Sequence, residues 1–397
     1  MTERDYLFAG WKHFRQGDYF EAHEQWEEPW HQMIGNRRQF WQALIQLAVG
    51  ACHYQRKNMK GCASLWRKAF NRCNQLESET SCPFVTALKE QLQHRLADLE
   101  AGIDPLPALA TFGQQVITES WFDFGLDRTD AIGTVHPRAE QPPRIACLVP
   151  SITELLFDLG LGDQLVARTS FCIHPADQVN AVPSVGGTKK INPHKLKITN
   201  PTHVIVNIDE NPKEMVDQIA EFVPNVIVTH PNTPLDNLDL YLLIGSIFGK
   251  ELEAGALCRQ FEKTYQDLIT TQVNYPPQQV LYLIWKNPWM TVSRQTYISE
   301  CLKLIHWKTV GHDPDVRYPQ IEIEPILDST DLILFSSEPY PFTSADITEF
   351  RTHYPVEQKT TVLIDGEMIS WYGSRAIQGL RYLKQMATTL FLAEEEQ

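Results

Sequence analysis

The sequence has no uninterrupted apolar stretch close to the roughly 18 residues that a membrane-spanning helix requires. Its first twenty residues, MTERDYLFAGWKHFRQGDYF, carry charges throughout and contain no apolar segment followed by a small-residue cleavage site. We therefore expect a protein that does not cross a bilayer and is not exported. We expect it in the cytoplasm.

Positive charge is scarce relative to negative charge. The 397 residues include 35 lysines and arginines against 49 aspartates and glutamates, which gives a formal net charge of −14. This balance disfavours nucleic acid or an anionic membrane as the main partner. The eight cysteines form no CxxC pair and are scattered, which predicts buried thiols in a reducing compartment rather than disulfides or a zinc knuckle.

Signatures of common enzyme classes are missing as well. The sequence contains no nucleophile elbow, no P-loop and no GxGxxG fingerprint. The string HEQWE, residues 23–27, departs from the HExxH pattern of zinc proteases. We therefore predict no catalytic residues and no catalytic cofactor.

Residues 1–122 show helical periodicity, and we predict that they form an all-α bundle. Asp18 followed by Glu21 is a capping-box pattern that opens a helix, and Pro29 should bend that helix or lie near its end. The short connections between the predicted helices favour an antiparallel arrangement. Further helices are predicted over 37–55, 59–76 and 83–101.

A polar, proline-containing linker is predicted at 123–143, and beyond it apolar strands alternate with amphipathic helices. This alternation predicts an α/β fold with parallel sheets covered on both faces. Within residues 144–397 we expect a first lobe over 144–248, a bridging helix over 251–275 and a second lobe over 278–397. The default ligand site of such a fold is the crevice at the carboxyl ends of the strands. Predicted strands are 144–150, 165–169, 202–208, 225–230, 279–285, 331–337 and 360–365, and predicted helices are 212–222, 238–248, 297–305, 344–352 and 375–393.

The α/β region carries motifs of a known family, among them LVPSITELLFDLGLGDQLV, FCIHP, VPSVGG, NPTHVIV and IDGEMISWYGSRAIQGL, in the family's order. Residues 144 to about 390 thereby resemble the substrate-binding proteins of cobalamin and ferric-siderophore ABC importers, and the cobalamin-binding branch is the most similar. The resemblance implies a periplasmic-binding-protein-like fold, of the helical-backbone metal receptor type, with two Rossmann-like lobes bridged by a long helix.

The N-terminal region carries a second resemblance. GDYFEAHEQWEEPW and FWQALIQLAVGACHYQRKN are similar to segments of a small helical domain family of unknown function, DUF309. This resemblance covers residues 1 to about 80 and implies no established chemistry.

From the first resemblance we expect a non-catalytic binding protein for cobalamin or a related corrinoid, acting in retention, delivery or sensing. Rigid aromatic side chains suit the large apolar faces of a corrin, and glycines let the backbone approach it closely. For each aromatic residue the alternative is the core of a lobe, and His174 is either a ligand of a metal centre or a hydrogen-bonded surface residue. The implied ligand-binding residues are Phe171, His174, Gly186, Gly187, Thr188, Trp285, Trp289, Met290, Tyr318, Glu367 and Trp371.

The resemblance also concerns docking on a transporter. In the import proteins each lobe carries a surface glutamate that docks on the permease; here Glu324 stands at the second position and His194 at the first. This departure argues against ordinary import, although Glu324 alone also fits a solvated helix residue. Arg375 resembles a family position and is expected to hold a loop in place.

Two alternatives remain open. One keeps the fold and changes the ligand to heme, a siderophore complex or another metal chelate. The other is a metal-dependent enzyme with a site in the helical domain around His23 and Glu27, which are four residues apart and share one helical face. Spacing supplies no third strong ligand there, so a polar hydrogen-bond network between helices is favoured over a metal site, and a surface for a protein partner is the intermediate interpretation.

Overall fold

The computed structural model describes residues 3–79, 83–113, 128–139, 142–272, 275–311, 315–356 and 358–395. It divides into two units, Met1–Arg128 with Leu242–Ala256, and Thr129–Tyr241 with Leu257–Gln397. Every helix among the described residues is too short or too polar to cross a membrane. The boundaries proposed at residues 122 and 144 stay predictions.

The first unit is built from helices, as the periodicity predicts. The Asp18 carboxylate caps the second helix by accepting the backbone N–H of Glu21 at 3.5 Å, and Pro29 lies one residue before its end. The core contains four tryptophans that are essentially inaccessible to solvent, Trp11, Trp26, Trp41 and Trp66. The helices are α1 (Glu3–Arg15), α2 (Tyr19–Trp30), α3 (Gly35–Gln55), α4 (Met59–Glu79), α5 (Pro83–Ala101) and α6 (Leu106–Gly113).

The first four helices contain one helical hairpin twice, offset by forty residues. Helices α1 and α3 end at residues 15 and 55, and α2 and α4 begin at residues 19 and 59. Both turns are capped in the same way, because the side-chain oxygens of Asp18 and Asn58 each accept the backbone N–H three residues later. Periodicity in the sequence does not reveal this repeat.

A glycine and a tryptophan join the two helices of each hairpin. The indole N–H of Trp26 donates to the backbone carbonyl nineteen residues earlier at 3.2 Å, and that of Trp66 does the same at 3.0 Å. In each copy the ring covers a glycine, Gly10 or Gly50, whose Cβ would overlap the indole if it had one. The absence of a side chain at these two positions allows the helices to approach each other closely.

The first lobe of the second unit contains a four-stranded parallel sheet in the order β2-β1-β3-β4. Its strands are mostly apolar, as expected where helices cover both faces of such a sheet. The strands are β1 (Ile145–Cys147), β2 (Leu165–Arg168), β3 (His203–Asn207) and β4 (Asn225–Thr229), and the helices of this part of the chain are Pro150–Asp158, Pro193–Ile198, Lys213–Ala220 and Asp236–Phe248.

A long helix, Glu251–Gln272, precedes the second lobe and its mixed sheet. The sheet follows the path β6-β5-β8-β9, with β7 paired to β5, and only β6 is antiparallel. The two-lobed α/β fold is thereby confirmed. The strands are β5 (Gln278–Trp285), β6 (Met290–Thr291), β7 (Trp307–Thr309), β8 (Leu332–Ser336) and β9 (Thr360–Ile364), and the helices are Tyr297–Lys303, Glu324–Leu327, Ser344–His353, Gly366–Ser370 and Arg375–Glu395.

Part of the predicted linker is folded onto the first sheet. The Asp130 carboxylate accepts the backbone N–H of Val228 at 3.1 Å and pairs with the His136 ring at 3.0 Å. The N–H of Ala131 donates to the carbonyl of Val228 at 2.9 Å. These bonds cover an edge strand, β4, whose backbone groups would otherwise be open to pairing with another chain. The rest of the predicted linker, 123–127 and 140–141, lies outside the described residues.

Candidate ligand-binding cleft

Charged and polar side chains from both lobes meet where strands of the two sheets end. Asp209 and Glu210 follow β3, His230 follows β4, and Glu338 follows β8. In open α/β sheets, ligands bind outside the carboxyl ends of parallel strands. We call this region the interlobe seam.

Asp209 is the centre of one cluster in the seam. Its carboxylate lies 2.6 Å from Nη2 of Arg317 and 3.6 Å from Nε2 of His230, and it accepts the hydroxyl of Tyr318 at 3.3 Å. Lys189 donates to its backbone carbonyl at 2.6 Å. Burial acts to raise the pKa of Asp209, but the hydrogen bonds and charges of His230 and Arg317 outweigh it and hold that pKa below its usual value. The carboxylate therefore stays ionised and ties the two lobes together.

Glu210 makes the second link between the lobes. Its Oε1 accepts the hydroxyl of Tyr372 at 2.6 Å. Burial raises the pKa of Glu210 to about 7, while the Tyr372 hydrogen bond and the charge of Lys189 oppose this shift and the carboxylates of Glu338 and Asp209 add to it. This group therefore changes its charge close to neutral pH.

A third set of contacts runs from His174 to Glu154. The His174 Nε2 lies 2.9 Å from Oε2 of Glu367, and Nη1 of Arg375 lies 3.1 Å from the same oxygen. Arg375 is buried and forms a bidentate pair with Glu154 at 2.7 and 2.8 Å. Its guanidinium lies 5.0 Å from the ring centroid of Trp371, which also contacts His174 edge-on at 5.5 Å. Arg375 thus connects the loop before the last helix to the first lobe.

The segment around Gly186 and Gly187 in the first lobe forms a compact turn. Gly186 has φ of +133°, and a Cβ there would lie 2.7 Å from a backbone carbonyl, so this position requires glycine. The Phe171 ring lies 3.2 Å from where a Cβ of Gly187 would stand. Phe171 is 59% exposed, and the carbonyl of Thr188 accepts the side-chain amide of Asn211 at 2.9 Å. The turn therefore presents a large apolar ring to solvent on a rigid backbone.

The aromatic residues of the second lobe have different positions. Trp285 is 40% exposed at the end of β5, and Met290 pairs with it from β6. Trp289 instead packs against the lobe core, stacked on Phe342 with ring centroids 6.1 Å apart and with its indole N–H donated to the Tyr354 hydroxyl at 3.1 Å. For Trp289 the structure favours the core interpretation over ligand contact.

The structure joins some of the expected binding residues and adds others. It links His174, Glu367 and Trp371 directly and places Tyr318 on Asp209. Trp371 is itself buried and donates its indole N–H to Glu338 at 2.8 Å. Six polar residues of the seam are not among those predicted from the sequence. Four of them could be found from sequence because they follow β3, β4 and β8. The six are Asp209, Glu210, His230, Arg317, Glu338 and Tyr372.

The two positions compared with docking glutamates are both on the surface. His194 lies exposed in the helix Pro193–Ile198, and Glu324 opens the helix Glu324–Leu327 and is exposed as well. Exposure makes both positions accessible to a partner. The expectation that His194 disfavours docking on a permease stays a prediction.

Family models match both parts of the chain. A model described as "Periplasmic binding protein" matches residues 145–371, and one described as "Domain of unknown function (DUF309)" matches residues 7–65. The vitamin B12-binding protein of Vibrio cholerae serotype O1 is 26% identical over 196 residues, which cover 49% of this chain and 70% of the relative. That of Photorhabdus laumondii is 23% identical over 192 residues, which cover 48% of this chain and 70% of the relative.

Solved structures show the same fold in the α/β part. The periplasmic vitamin B12 binding protein of Vibrio cholerae aligns with a TM-score of 0.55 at 20% identity, covering 62% of this chain and 98% of its own. A periplasmic heme binding protein from Pseudomonas aeruginosa aligns with a TM-score of 0.54 at 17% identity, covering 62% of this chain and 92% of its own.

Proposed function

Because the chain belongs to the periplasmic binding protein family, whose model matches residues 145–371, we propose that its interlobe cleft binds cobalamin or a related corrinoid and catalyses nothing. Both resemblances that the sequence predicts, that of the α/β region and that of the helical region, are confirmed by the family models. The observation that carries the proposal is the similarity to vitamin B12-binding proteins over 70% of their length.

The side chains of the cleft fit such a ligand. Phe171 and Trp285 are 59% and 40% exposed and lie near the ends of strands of the two sheets, and a flat ring makes a low-entropy contact with an apolar macrocycle. Arg317, Lys189 and Asp209 are hydrogen-bonded to one another in the seam and would exchange these bonds for bonds to the amides at the edge of a corrin. Apolar faces and polar edges of the ligand thus find matching groups.

We place this activity in the cytoplasm, in retention, delivery or sensing of the corrinoid. The proposal is supported by the seven cysteines of the described residues, all buried and free, which are typical of a reducing compartment. The histidine at position 194, where import proteins carry a docking glutamate, supports a role apart from ordinary import. Fractionation of cells expressing the untagged protein tests the location, and recovery from the periplasm would contradict it.

Calorimetric titration of the full chain with cyanocobalamin tests the ligand. We expect one site per chain and a change in the corrin absorbance spectrum on binding. Phe171→Ala is expected to weaken binding about tenfold, because loss of one ring contact of this size corresponds to roughly 1–2 kcal/mol. Ile198→Ala, which truncates an exposed apolar residue on the helix Pro193–Ile198, is the control and should bind as the parent does. A flat titration with cobalamin and its precursors would refute the proposal.

Heme is the second candidate ligand, and His174 favours it. Neutral imidazole is a good ligand for iron, and the His174 side chain is 28% exposed to solvent. Because its Nε2 is engaged by Glu367 at 2.9 Å, coordination requires that this contact be given up or that Nδ1 bind the metal. Titration of the parent and of His174→Ala with hemin distinguishes the two ligands. A shifted Soret band that the parent shows and the variant lacks, together with no binding of cobalamin, would identify heme and not a corrinoid as the ligand.

A further inference from the structure

An open groove lies on the surface of the helical unit, between helices α4 and α5. It has a volume of about 460 Å³ and is lined by side chains of both helices. On α4 the lining residues fall within positions 59–68, which correspond to roughly 14 Å of helix at 1.5 Å per residue. The groove is therefore about two and a half helical turns long.

Part of the groove lining is apolar. Leu96 and Leu99 of α5 are half-buried, line the groove and pack against the core of the helical unit. Ala63 adds a small side chain, and Met59 is 44% exposed at the start of α4. Methionine is flexible and polarisable and is common at protein-binding surfaces. The groove thus presents apolar surface that the helical unit leaves open to solvent.

The polar part of the lining is mostly basic. Lys60, Arg67 and Lys68 line the groove and are all exposed. Among the described lining residues the single carboxylate is that of Glu100, which lies 3.4 Å from Nη2 of Arg67. These two side chains are 73% and 60% exposed, so their ion pair contributes little and exchanges readily. In the part of the chain that the structure describes, Lys60 and Lys68 have no carboxylate within ion-pair distance, so both are available to a partner.

The positive charge of the groove contrasts with the charge of the whole protein. The chain has a formal net charge of −14. Arg56 and Lys57, in the turn that precedes α4, are exposed and extend the basic surface beyond the groove. A local positive surface on an acidic protein attracts negatively charged groups. Charge complementarity therefore indicates an acidic partner.

The first copy of the hairpin shows that the fold does not require basic residues on this face. Glu27 and Glu28 of α2 stand forty positions before Arg67 and Lys68 of α4. Both copies nevertheless form the same contact between a tryptophan and a glycine. The positive charge of the groove is therefore a property of the second copy and not of hairpin packing.

The polar residues on α2 contact one another. The Nε2 of His23 is 2.9 Å from a Glu24 carboxylate oxygen and 4.0 Å from a Glu27 carboxylate oxygen. Its Nδ1 is hydrogen-bonded to the backbone carbonyl of Phe20. Among the described residues, the polar contacts of these side chains lie within residues 20–31, so they do not form the predicted network between helices.

We propose that the groove between α4 and α5 binds an acidic amphipathic helix of a partner protein. A helix laid in a groove makes contact through apolar residues spaced i, i+4 and i+7, and Met59, Leu96 and Leu99 supply the matching surface. Carboxylates on the flanks of that helix pair with Lys60 and Lys68. A groove open to solvent along its length does not enclose a small ligand as pockets do, which favours a helix as the occupant.

Fluorescence anisotropy of the full chain with a labelled probe peptide tests the groove. The probe is a helix-forming peptide of about 14 residues, with leucines spaced i, i+4 and i+7 and glutamates on both flanks. The control peptide has the same leucines and lysines in place of the glutamates. We expect the acidic peptide to bind with a micromolar Kd and the basic peptide at least tenfold more weakly. Raising the ionic strength from about 0.1 to 1 M should weaken binding, because the Debye length shortens from about 10 to 3 Å.

Charge reversal locates the binding site. The double variant Lys60→Glu, Lys68→Glu is expected to weaken binding of the acidic peptide at least tenfold. Met59→Gln, which keeps the length of the side chain and removes apolar surface, should weaken it several-fold. The double variant Lys12→Glu, Arg15→Glu makes the same change in net charge at two exposed residues of α1, and this matched control should bind as the parent does. Circular dichroism verifies that each variant folds.

Several results would overturn the proposal. Absence of binding, equal binding of the two peptides, or equal loss in the groove variant and the α1 control would each do so. Self-association of the chain in sedimentation velocity that the groove variant abolishes, without peptide binding, would make a second copy the occupant. Binding of laurate that the groove variant loses, again without peptide binding, would make the groove a small-molecule site. The cobalamin titration of the groove variant should match the parent, because the groove and the corrinoid cleft share no residue, and failure of one proposal leaves the other standing.

Discussion

Glu210 combines a buried carboxyl group, a tyrosine hydroxyl that donates to it, and two further carboxylates nearby. Its pKa of about 7, against 4.5 for an ordinary glutamate, means that the folded protein binds a proton that the unfolded chain releases at lower pH. The stabilising contribution of the protonated form is complete below about pH 4.5. It is lost as pH rises through 7.

We predict that Glu210→Gln removes this pH dependence. The amide oxygen of the variant still accepts the Tyr372 hydroxyl, and the side chain no longer ionises. Urea unfolding at pH 8 should show the variant more stable than the parent by about 2–3 kcal/mol, and unfolding at pH 5 should show the two nearly equal. A difference of the same size at both pH values would contradict the assigned pKa.

Individual residues differ in how readily the sequence reveals them. The resemblance led to Tyr318 and His174, which the structure places in the seam, because both lie in motifs that can be aligned. Asp209 and Arg317 were missed, although a salt bridge of 2.6 Å joins them, because they are 108 residues apart and no periodic pattern relates them. Their partnership exists only after the two sheets have formed.

At the scale of elements, the contact between Gly50 and Trp66 holds helices α3 and α4 together. Alanine in place of glycine stabilises an exposed helix by up to about 1 kcal/mol. At position 50 the added Cβ would overlap the Trp66 indole, and this ring is fully buried and hydrogen-bonded to α3. The packing conflict therefore exceeds the gain in helix propensity.

We predict that Gly50→Ala destabilises the helical unit by about 1–3 kcal/mol, as overpacking of a close-packed core does. Ser64→Ala, which adds no atom on the same helix as Trp66, is the control and is expected to leave stability unchanged or slightly higher. Chemical denaturation followed by tryptophan fluorescence measures both. Equal or greater stability of Gly50→Ala would mean that the helices can separate at this point without cost.

The element that begins at Arg375 depends on a buried ion pair. The Arg375 and Glu154 side chains are 8% and 13% exposed, so removal of the guanidinium leaves carboxylates with little solvent to compensate their charge. We predict a loss of about 3 kcal/mol for Arg375→Met in thermal unfolding. Lys213→Met is the control, because the Lys213–Asp217 pair is exposed and contributes little. A loss for Arg375→Met no larger than for the control would show that the pair is dispensable.

Long helices and strands are easier to predict from the sequence than short ones. The helix Glu251–Gln272 has a long uninterrupted periodicity, and the predicted and observed helices begin at the same residue. Strands β6 and β7 contain two and three residues, too few for an alternation to appear, and pairing with β5 creates them. The repeat in the helical unit is hard to detect in the sequence because its two copies share few identical residues. The glycine and the tryptophan that mark it are brought together only by the fold.

At the scale of the whole molecule, ligand binding and folding are linked. A ligand that binds only the folded state, present at a hundred times its Kd, stabilises it by about 2.7 kcal/mol. We therefore predict that cyanocobalamin in such excess raises the midpoint of thermal unfolding of the unit that holds the cleft. Calorimetry with and without the ligand measures the shift, and an unchanged midpoint at this excess would contradict binding to the folded state.

The sequence by itself determined the alternation of strands and helices in the α/β region, the helical character of the N-terminal region and the family of the α/β region, because periodicity and local motifs are properties of neighbouring residues. Only the tertiary structure decided which polar groups share the cleft, that Trp289 packs into the lobe core, and that the Glu24 carboxylate lies beside His23 and Glu27. The physical reason is that burial, hydrogen bonds and charge interactions depend on distances in space. Residues as far apart as His174 and Glu367, 193 positions along the chain, acquire such distances only when the lobes are packed.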